Sequence, residues 1–279
     1  MPYVSIIIPH RGQQEWLDRC LASIPQCPDV QTVVVVDDEG RGAGWARNKA
    51  LEQAEGHYVI FADSDDFFHP SFADFLDYLK TASDDMIFFN ADSIELSTGQ
   101  PSWRANQLNR IIASTDREWQ EQHLRYYFTE PWCRAIRRSL LAEHDIRFSE
   151  TLKLNDIFFT SQVGYYAKTI AVYNHCCYCI GNHADSTAKL TGRQSSLHAT
   201  REAARANHFL RERGIRHIHS RMMRPFITAI MKGQPRLACA CWHEMRSMRL
   251  STTFLLYCLL RYPRDIVKLI IRKYQAGEL

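Results

Sequence analysis

Three short apolar runs, Val4–Ile8, Val33–Val36 and Val59–Phe61, alternate with stretches whose apolar positions recur at the helical period. Trp16, Leu17, Cys20, Leu21 and Ile24 form one such stripe, and Ala46, Ala50, Leu51 and Ala54 form the next. A continuous apolar strand is buried on both faces. Strand and helix in alternation therefore predict a mostly parallel sheet covered by helices, an α/β architecture. Each run stops in polar groups or at a proline: the first at Pro9, the second at Asp37-Asp38, the third in Asp63-Ser64-Asp65-Asp66. Sheets of this kind bind ligands at the carboxyl ends of their strands, so Pro9, Asp38 and Asp65 are expected along one edge.

The third ending carries the most chemistry. Three carboxylates within four positions repel one another unless a cation or a set of donors neutralises them, and oxygen donors at a strand end suit Mg²⁺ or Mn²⁺. Such an ion commonly bridges to phosphate oxygens. The competing reading is a polar turn in which Asp66 caps a helix starting near Pro70.

With 279 residues, 46% of them hydrophobic, the chain can bury a full core in one large domain or one domain with an appendage. Its nine cysteines form no regular framework, and no secretory pattern opens the chain, which points to a reduced, cytoplasmic setting. Cys176, Cys177, Cys179 and His183 lack zinc-site spacing, as do Cys239, Cys241 and His243, and read as buried thiols in regular elements.

Charge divides the chain. Residues 1–200 carry 18 Lys and Arg against 26 Asp and Glu, whereas residues 201–279 carry 16 against 5. With the loop-like Thr191–Ser196, this shift places a boundary near residue 195, giving a domain over 1–195 and a basic, amphipathic helical region over 196–279. The uncharged stretch Leu250–Leu260 is too short to span a bilayer. Beyond it Arg264, Lys268, Arg272 and Lys273 rim an apolar helical face, a pattern that suits either an anionic membrane surface or packing on the protein. The basic residues follow no nucleic-acid reading motif and the front of the chain is acidic, so nucleic acid is not an expected partner.

Five segments in order, Val4–Pro9, Val34–Asp38, Gly44–Leu51, Gly56–Phe61 and Asp63–Asp66, resemble the inverting glycosyltransferases of family 2, which have the GT-A fold. The resemblance continues through Pro131–Arg134, Arg137–Leu141, Ile146–Phe148 and Asn155–Phe159, covering roughly residues 3 to 188. It implies a Rossmann-like α/β domain that moves a sugar from a nucleotide-sugar donor to a hydroxyl of a glycan or lipid-linked acceptor, in bacterial surface-polysaccharide synthesis. The resemblance places Pro9 beside the base, Asp38 on a base ring nitrogen, Arg47 at the base or diphosphate, Asp63 near the ribose, Asp65 on Mn²⁺ or Mg²⁺, and Asp156 as the general base. A carboxylate acceptor at the base edge favours a ring N–H, which uracil offers, and so a UDP-sugar. Tyr173, Tyr178 and Ser186 fall where the family approaches its acceptor. Attachment to the inner face of the cell membrane follows by analogy.

His10-Arg11 replaces the family's usual Tyr-Asn, Glu39 interrupts an Asp-Asp-Gly-Ser order, and Asn155 stands where a Glu precedes the base. Two rivals remain. A haloacid dehalogenase-like phosphohydrolase would use Asp63 as nucleophile, although that motif belongs on a first strand. A catalytically inactive, membrane-associated adaptor would need no intact set of Asp38, Arg47, Asp65 and Asp156.

Overall fold

The strands β1 (Val4–His10), β2 (Val30–Val36) and β3 (Tyr58–Phe61) pair in parallel, with β1 in the middle. In this computed structural model residues 1–183, 192–217 and 219–275 are described, with side chains described to residue 263 apart from Ser220. Ser186 and the side chains of Arg264, Lys268, Arg272 and Lys273 lie outside the described residues. All seven residues of β1 are buried, as its continuous apolar run requires. Helix α1 (Gln14–Ala22) turns Leu17 and Cys20 inward, and α2 (Ala43–Leu51) does the same with Ala46, Ala50 and Leu51.

The chain continues through β4 (Phe67–Phe68), α3 (Phe72–Thr81), β5 (Met86–Glu95), α4 (Asn106–Ile112), α5 (Arg117–Tyr126), β6 (Arg134–Arg137), α6 (Arg138–Glu143), α7 (Ile157–Tyr166) and β7 (Ile170–Asn182). The strands form one seven-stranded sheet in the order β2-β1-β3-β6-β5-β7-β4. β5 and β7 run parallel, but β6 is antiparallel to both β3 and β5, and β4 is antiparallel to β7. The sheet is thus mixed, with the parallel αβ alternation concentrated in its first three strands. Phe72, Phe75, Phe88 and Phe89 are fully buried in its core. So is Arg134, which donates to the carbonyls of Phe128 and Glu130 while its guanidinium lies 4.7 Å from the Phe88 ring centroid. A charge without water is tolerable there because carbonyl dipoles and an aromatic face replace its hydration.

Two compact units emerge. The first comprises residues 1–150 and 159–186, and the second residues 151–158 and 187–279. The second unit is helical: α8 (Arg193–Glu212), a single 3₁₀ turn at Ser220–Met222, α9 (Met223–Met231), α10 (Pro235–Ser247) and α11 (Thr252–Gln275). α8 already begins at Arg193, inside the stretch that reads as a loop. Its buried stripe, Ala199, Ala203, Ala206 and Leu210, continues on the same period to Asn207, whose amide clamps the backbone of His219 on both sides. No helix among the described residues is long and apolar enough to cross a membrane.

Candidate active site

The ends of β1 and β2 lie side by side, with Pro9 opposite Val35 and His10 opposite Val36. Beyond β2 the two adjacent aspartates diverge. Asp37 is buried and its carboxylate accepts from the backbone N–H groups of Arg41 and Gly42, both at 2.7 Å, which folds the turn into α2. Gly42, at φ 99°, is in the left-handed region this turn requires. Asp38 is exposed. One carboxylate builds the loop, and the other is presented to solvent at the strand end.

On α2, Arg47 is buried and its Nη2 donates to Asp63 Oδ1 at 2.6 Å, with the guanidinium 5.2 Å from the Phe148 ring centroid. Asn48 beside it bonds the Phe148 backbone through both its amide atoms. The Ala-Arg-Asn segment therefore fixes both the first acid of the loop after β3 and the irregular segment at residues 146–149. In this arrangement Arg47 orients Asp63.

The acidic loop is shaped by β7, more than a hundred residues later. β4 follows the loop immediately and pairs antiparallel with β7, Phe67 opposite Cys179 and Phe68 opposite Tyr178. Continuing that antiparallel run carries Gly181 and His183 past Asp65 and Asp63. Tyr178 donates its hydroxyl to Asp66 Oδ2 at 2.8 Å, and the Gly181 N–H donates to Asp66 Oδ1 at 2.7 Å. Asp66 therefore ties the loop to β7 and caps no helix: α3 starts after Ser71 instead. A Cβ on Gly181 would stand 2.4 Å from the Asp65 carbonyl oxygen, so only glycine permits the approach. His183 Nε2 lies 2.8 Å from Asp65 Oδ2, and its ring packs 4.6 Å from that of Trp16. Arg19 grips the Asp65 carbonyl at 2.5 Å, and His10 Nδ1 meets Ser64 Oγ at 3.0 Å.

Carboxylate oxygens of Asp63, Asp65 and Asp66 come within 4.8 Å of one another. Burial and the Asp63 charge push the Asp65 carboxyl above its usual range, against the pull of His183. Burial, then Asp65 and Asp63, push Asp66 well above it. The same acids contribute, after burial, to raising the Cys20 thiol to about 12. Both Asp66 oxygens are engaged by Tyr178 and Gly181, whereas Asp63 uses Oδ1 on Arg47 and Asp65 uses Oδ2 on His183, so a cation here would be held by the second oxygens of Asp63 and Asp65. A hard, oxygen-preferring divalent ion such as Mn²⁺ or Mg²⁺ fits these donors.

Asp156 belongs to the second unit and directly precedes α7; it is half-buried. The first unit brings together Pro9, Asp38, Arg47, Asp63 and Asp65 at the strand ends and the helix beside them. Residues to which the sequence gave no role at this edge are His183, Arg19 and Trp16. Tyr178, read as an acceptor contact, is instead fully buried with its hydroxyl on Asp66. Tyr173 packs on α3, 4.9 Å from the Tyr78 ring. All nine cysteines are free, and burial raises the Cys177 and Cys179 thiols to about 12, so neither offers a ready thiolate.

The family model described as glycosyl transferase family 2 matches residues 33–145. A putative glycosyltransferase of Bacillus subtilis, EpsH, is 27% identical over 148 residues, covering 49% of this chain and 41% of that protein. An uncharacterized glycosyltransferase of Escherichia coli, YibD, is 28% identical over 155 residues, covering 53% and 45%. The matched segment thus spans less than half the length of these relatives. Among solved structures, that of Staphylococcus aureus TarS 1-349 in complex with UDP-GlcNAc superposes with a TM-score of 0.58 at 17% identity, covering 88% of this chain and 92% of that one. The likeness establishes the GT-A fold, with its curled, mixed sheet.

Proposed function

We propose that the chain, which matches the glycosyl transferase family 2 model over residues 33–145, transfers a sugar from a UDP-sugar to a hydroxyl of a glycan or lipid-linked acceptor, with inversion at the anomeric carbon. The observation that carries this reading is the acidic loop after β3, where Asp63 and Asp65 share one edge with the exposed Asp38 and with Pro9. Asp38 accepts a hydrogen bond from a base N–H, and Pro9 lines the base. TarS, solved with UDP-GlcNAc, shares the fold and so supports the choice of a uridine nucleotide. Asp63, held by Arg47, faces the ribose, and Asp65, held by His183 and Arg19, carries the divalent ion.

A bound Mn²⁺ or Mg²⁺ would neutralise charge on the departing diphosphate. The protein supplies the rest. Arg47 and Arg19 orient the loop before any ligand arrives, so the carboxylates need no reorganisation when they are used. Asp156 accepts the proton of the acceptor hydroxyl as that oxygen attacks from the face opposite the leaving group. The sequence resemblance to glycosyltransferases of bacterial surface polysaccharides suggests that role, and the basic composition of residues 201–279 suggests work at the inner face of the cell membrane.

Saturation-transfer NMR across a panel of nucleotide sugars, with Mn²⁺ present, tests the donor. UDP-sugars should give saturation on uracil and ribose protons. A guanine nucleotide binding in their place would overturn the base assignment, and a product with retained anomeric configuration would overturn direct displacement.

A further inference from the structure

Of the two residues at the end of β1 that depart from the family's usual Tyr-Asn, one turns inward and the other outward. His10 is buried with its Nδ1 on Ser64 Oγ, whereas Arg11 is exposed. The Arg11 guanidinium is nevertheless held in a definite place. A Cβ built on Gly40, in the loop after β2, would lie 3.2 Å from its Nη1, 3.3 Å from its Nη2 and 3.4 Å from its Cζ. An edge-on approach would leave Cζ well behind the two nitrogens, so near-equal distances mean that the guanidinium lies across the glycine with its face to the backbone. Gly40, at φ 71°, supplies both the left-handed turn and the bare surface. Asp38 stands exposed two positions before it. Among the described residues the side chains of Arg11 and Asp38 make no hydrogen bond or ion pair, so this cation and this anion flank one edge without being joined.

An arginine that serves a fold commonly spends its N–H fork on an acid or a carbonyl. Arg11 spends none. What its placement offers is a plane, one face on Gly40 and the other open at the strand ends, and guanidinium planes stack on the π faces of nucleobases. We propose that Arg11 is the platform for the donor's base, which stacks on the guanidinium face turned away from Gly40 while Asp38 accepts from the base edge. The platform rests on the donor site proposed above and adds to it a binding residue that acts through the base and not through the diphosphate. Stacking is tolerant of base identity, because every base has a π face. Affinity for the base therefore comes from Arg11, and the choice among bases from Asp38.

The test compares the full chain with Arg11→Lys, Arg11→Ala and Asp38→Asn by calorimetry with UDP and with inorganic pyrophosphate, both in the presence of Mn²⁺. Pyrophosphate carries the diphosphate charge without a base. Arg11→Lys keeps the charge and loses the plane, so it should weaken UDP binding about tenfold, as Arg11→Ala does, while both leave pyrophosphate binding unchanged. In saturation-transfer NMR the uracil protons of UDP should lose saturation relative to the ribose protons in both arginine variants. Thermal melts followed by circular dichroism check that each variant is folded, which an exposed position favours. UDP binding by Arg11→Lys at wild-type strength would overturn the platform and leave Arg11 a point charge. A matching loss of pyrophosphate binding would also overturn it, by moving Arg11 to the diphosphate. If Asp38→Asn weakens UDP and neither arginine variant does, the donor site stands and the platform alone falls. If wild type binds no UDP, the donor site itself falls and the platform with it.

Discussion

The acidic loop after β3 and a cavity of the second unit lined by Arg211, Arg216 and Arg261 hold charged groups of opposite sign in different ways. At the loop, carboxylates are fixed by hydrogen bonds from distant parts of the chain: Arg47 on Asp63, His183 on Asp65, Tyr178 and Gly181 on Asp66. In the cavity, Arg211 is fixed by the Phe254 ring and Arg261 by the Tyr257 hydroxyl. A carboxylate clamped by donors is fixed in place but costs stability when ionised and buried, whereas a guanidinium stacked on a ring keeps its planar edge of donors. The first arrangement suits chemistry at a fixed point.

The largest effect should come from Asp156, an acid outside both clusters. Asp156→Asn should lower turnover by about 10² to 10⁴ while donor binding stays near wild type, because the group acts on the acceptor only in the transition state. Steady-state kinetics beside UDP calorimetry decides it, and near-normal turnover would leave Asp156 as a mere cap on α7.

The tight packing of the loop predicts a second effect. Gly181→Ala forces a methyl against the Asp65 carbonyl, where a Cβ would stand at 2.4 Å, and should cost about 1–3 kcal/mol in chemical denaturation while also weakening Mn²⁺-dependent nucleotide binding. Unchanged stability and binding would show that the loop yields freely, and the contrast with the cavity would weaken.

The smallest effect separates the two units by pH. Asp65 and Asp66 bind their protons more tightly folded than unfolded, so without metal the first unit should lose stability as pH rises above the unfolded carboxylate value of about 4, and added Mn²⁺ should offset that loss more strongly at higher pH. His219 behaves in the opposite sense. Its burial, with His217 and Arg221 nearby, holds it well below the ordinary histidine value, so the unfolded chain takes up the proton first and stability should fall as pH drops below about 6.5. Thermal melts of wild type and His219→Gln across that range check the second arm: an identical low-pH decline in the variant would assign it to other groups.

Much of the first unit was legible because its signals are local. Val4–Ile8, Val33–Val36 and Val59–Phe61 announce buried strands, and their polar endings mark the edge where Pro9, Asp38 and Asp65 stand. The antiparallel entry of β6 was not legible, since strand direction depends on pairing across the sheet rather than on any periodicity. His183 and Tyr178 were misplaced for the same reason. Both reach the acidic loop through the pairing of β4 with β7, and β4 is a two-residue strand whose pairing partner nothing local specifies. The positively charged second unit was visible as a charge shift, but the cavity depends on the turn at Gly214 bringing Arg216 to α11, a contact between distant residues that composition does not encode.

Whether Asp65 holds a divalent ion beside the donor nucleotide is decided by calorimetry of UDP binding with and without Mn²⁺ on wild type and Asp65→Asn. Wild type should bind UDP far more tightly with Mn²⁺ than without it. Asp65→Asn should lose that gain while keeping its fold by circular dichroism, because a carboxylate at the edge of the sheet contributes little packing. Equal enhancement by Mn²⁺ in both proteins would contradict the assignment and move the ion, and with it the leaving group, away from the loop after β3.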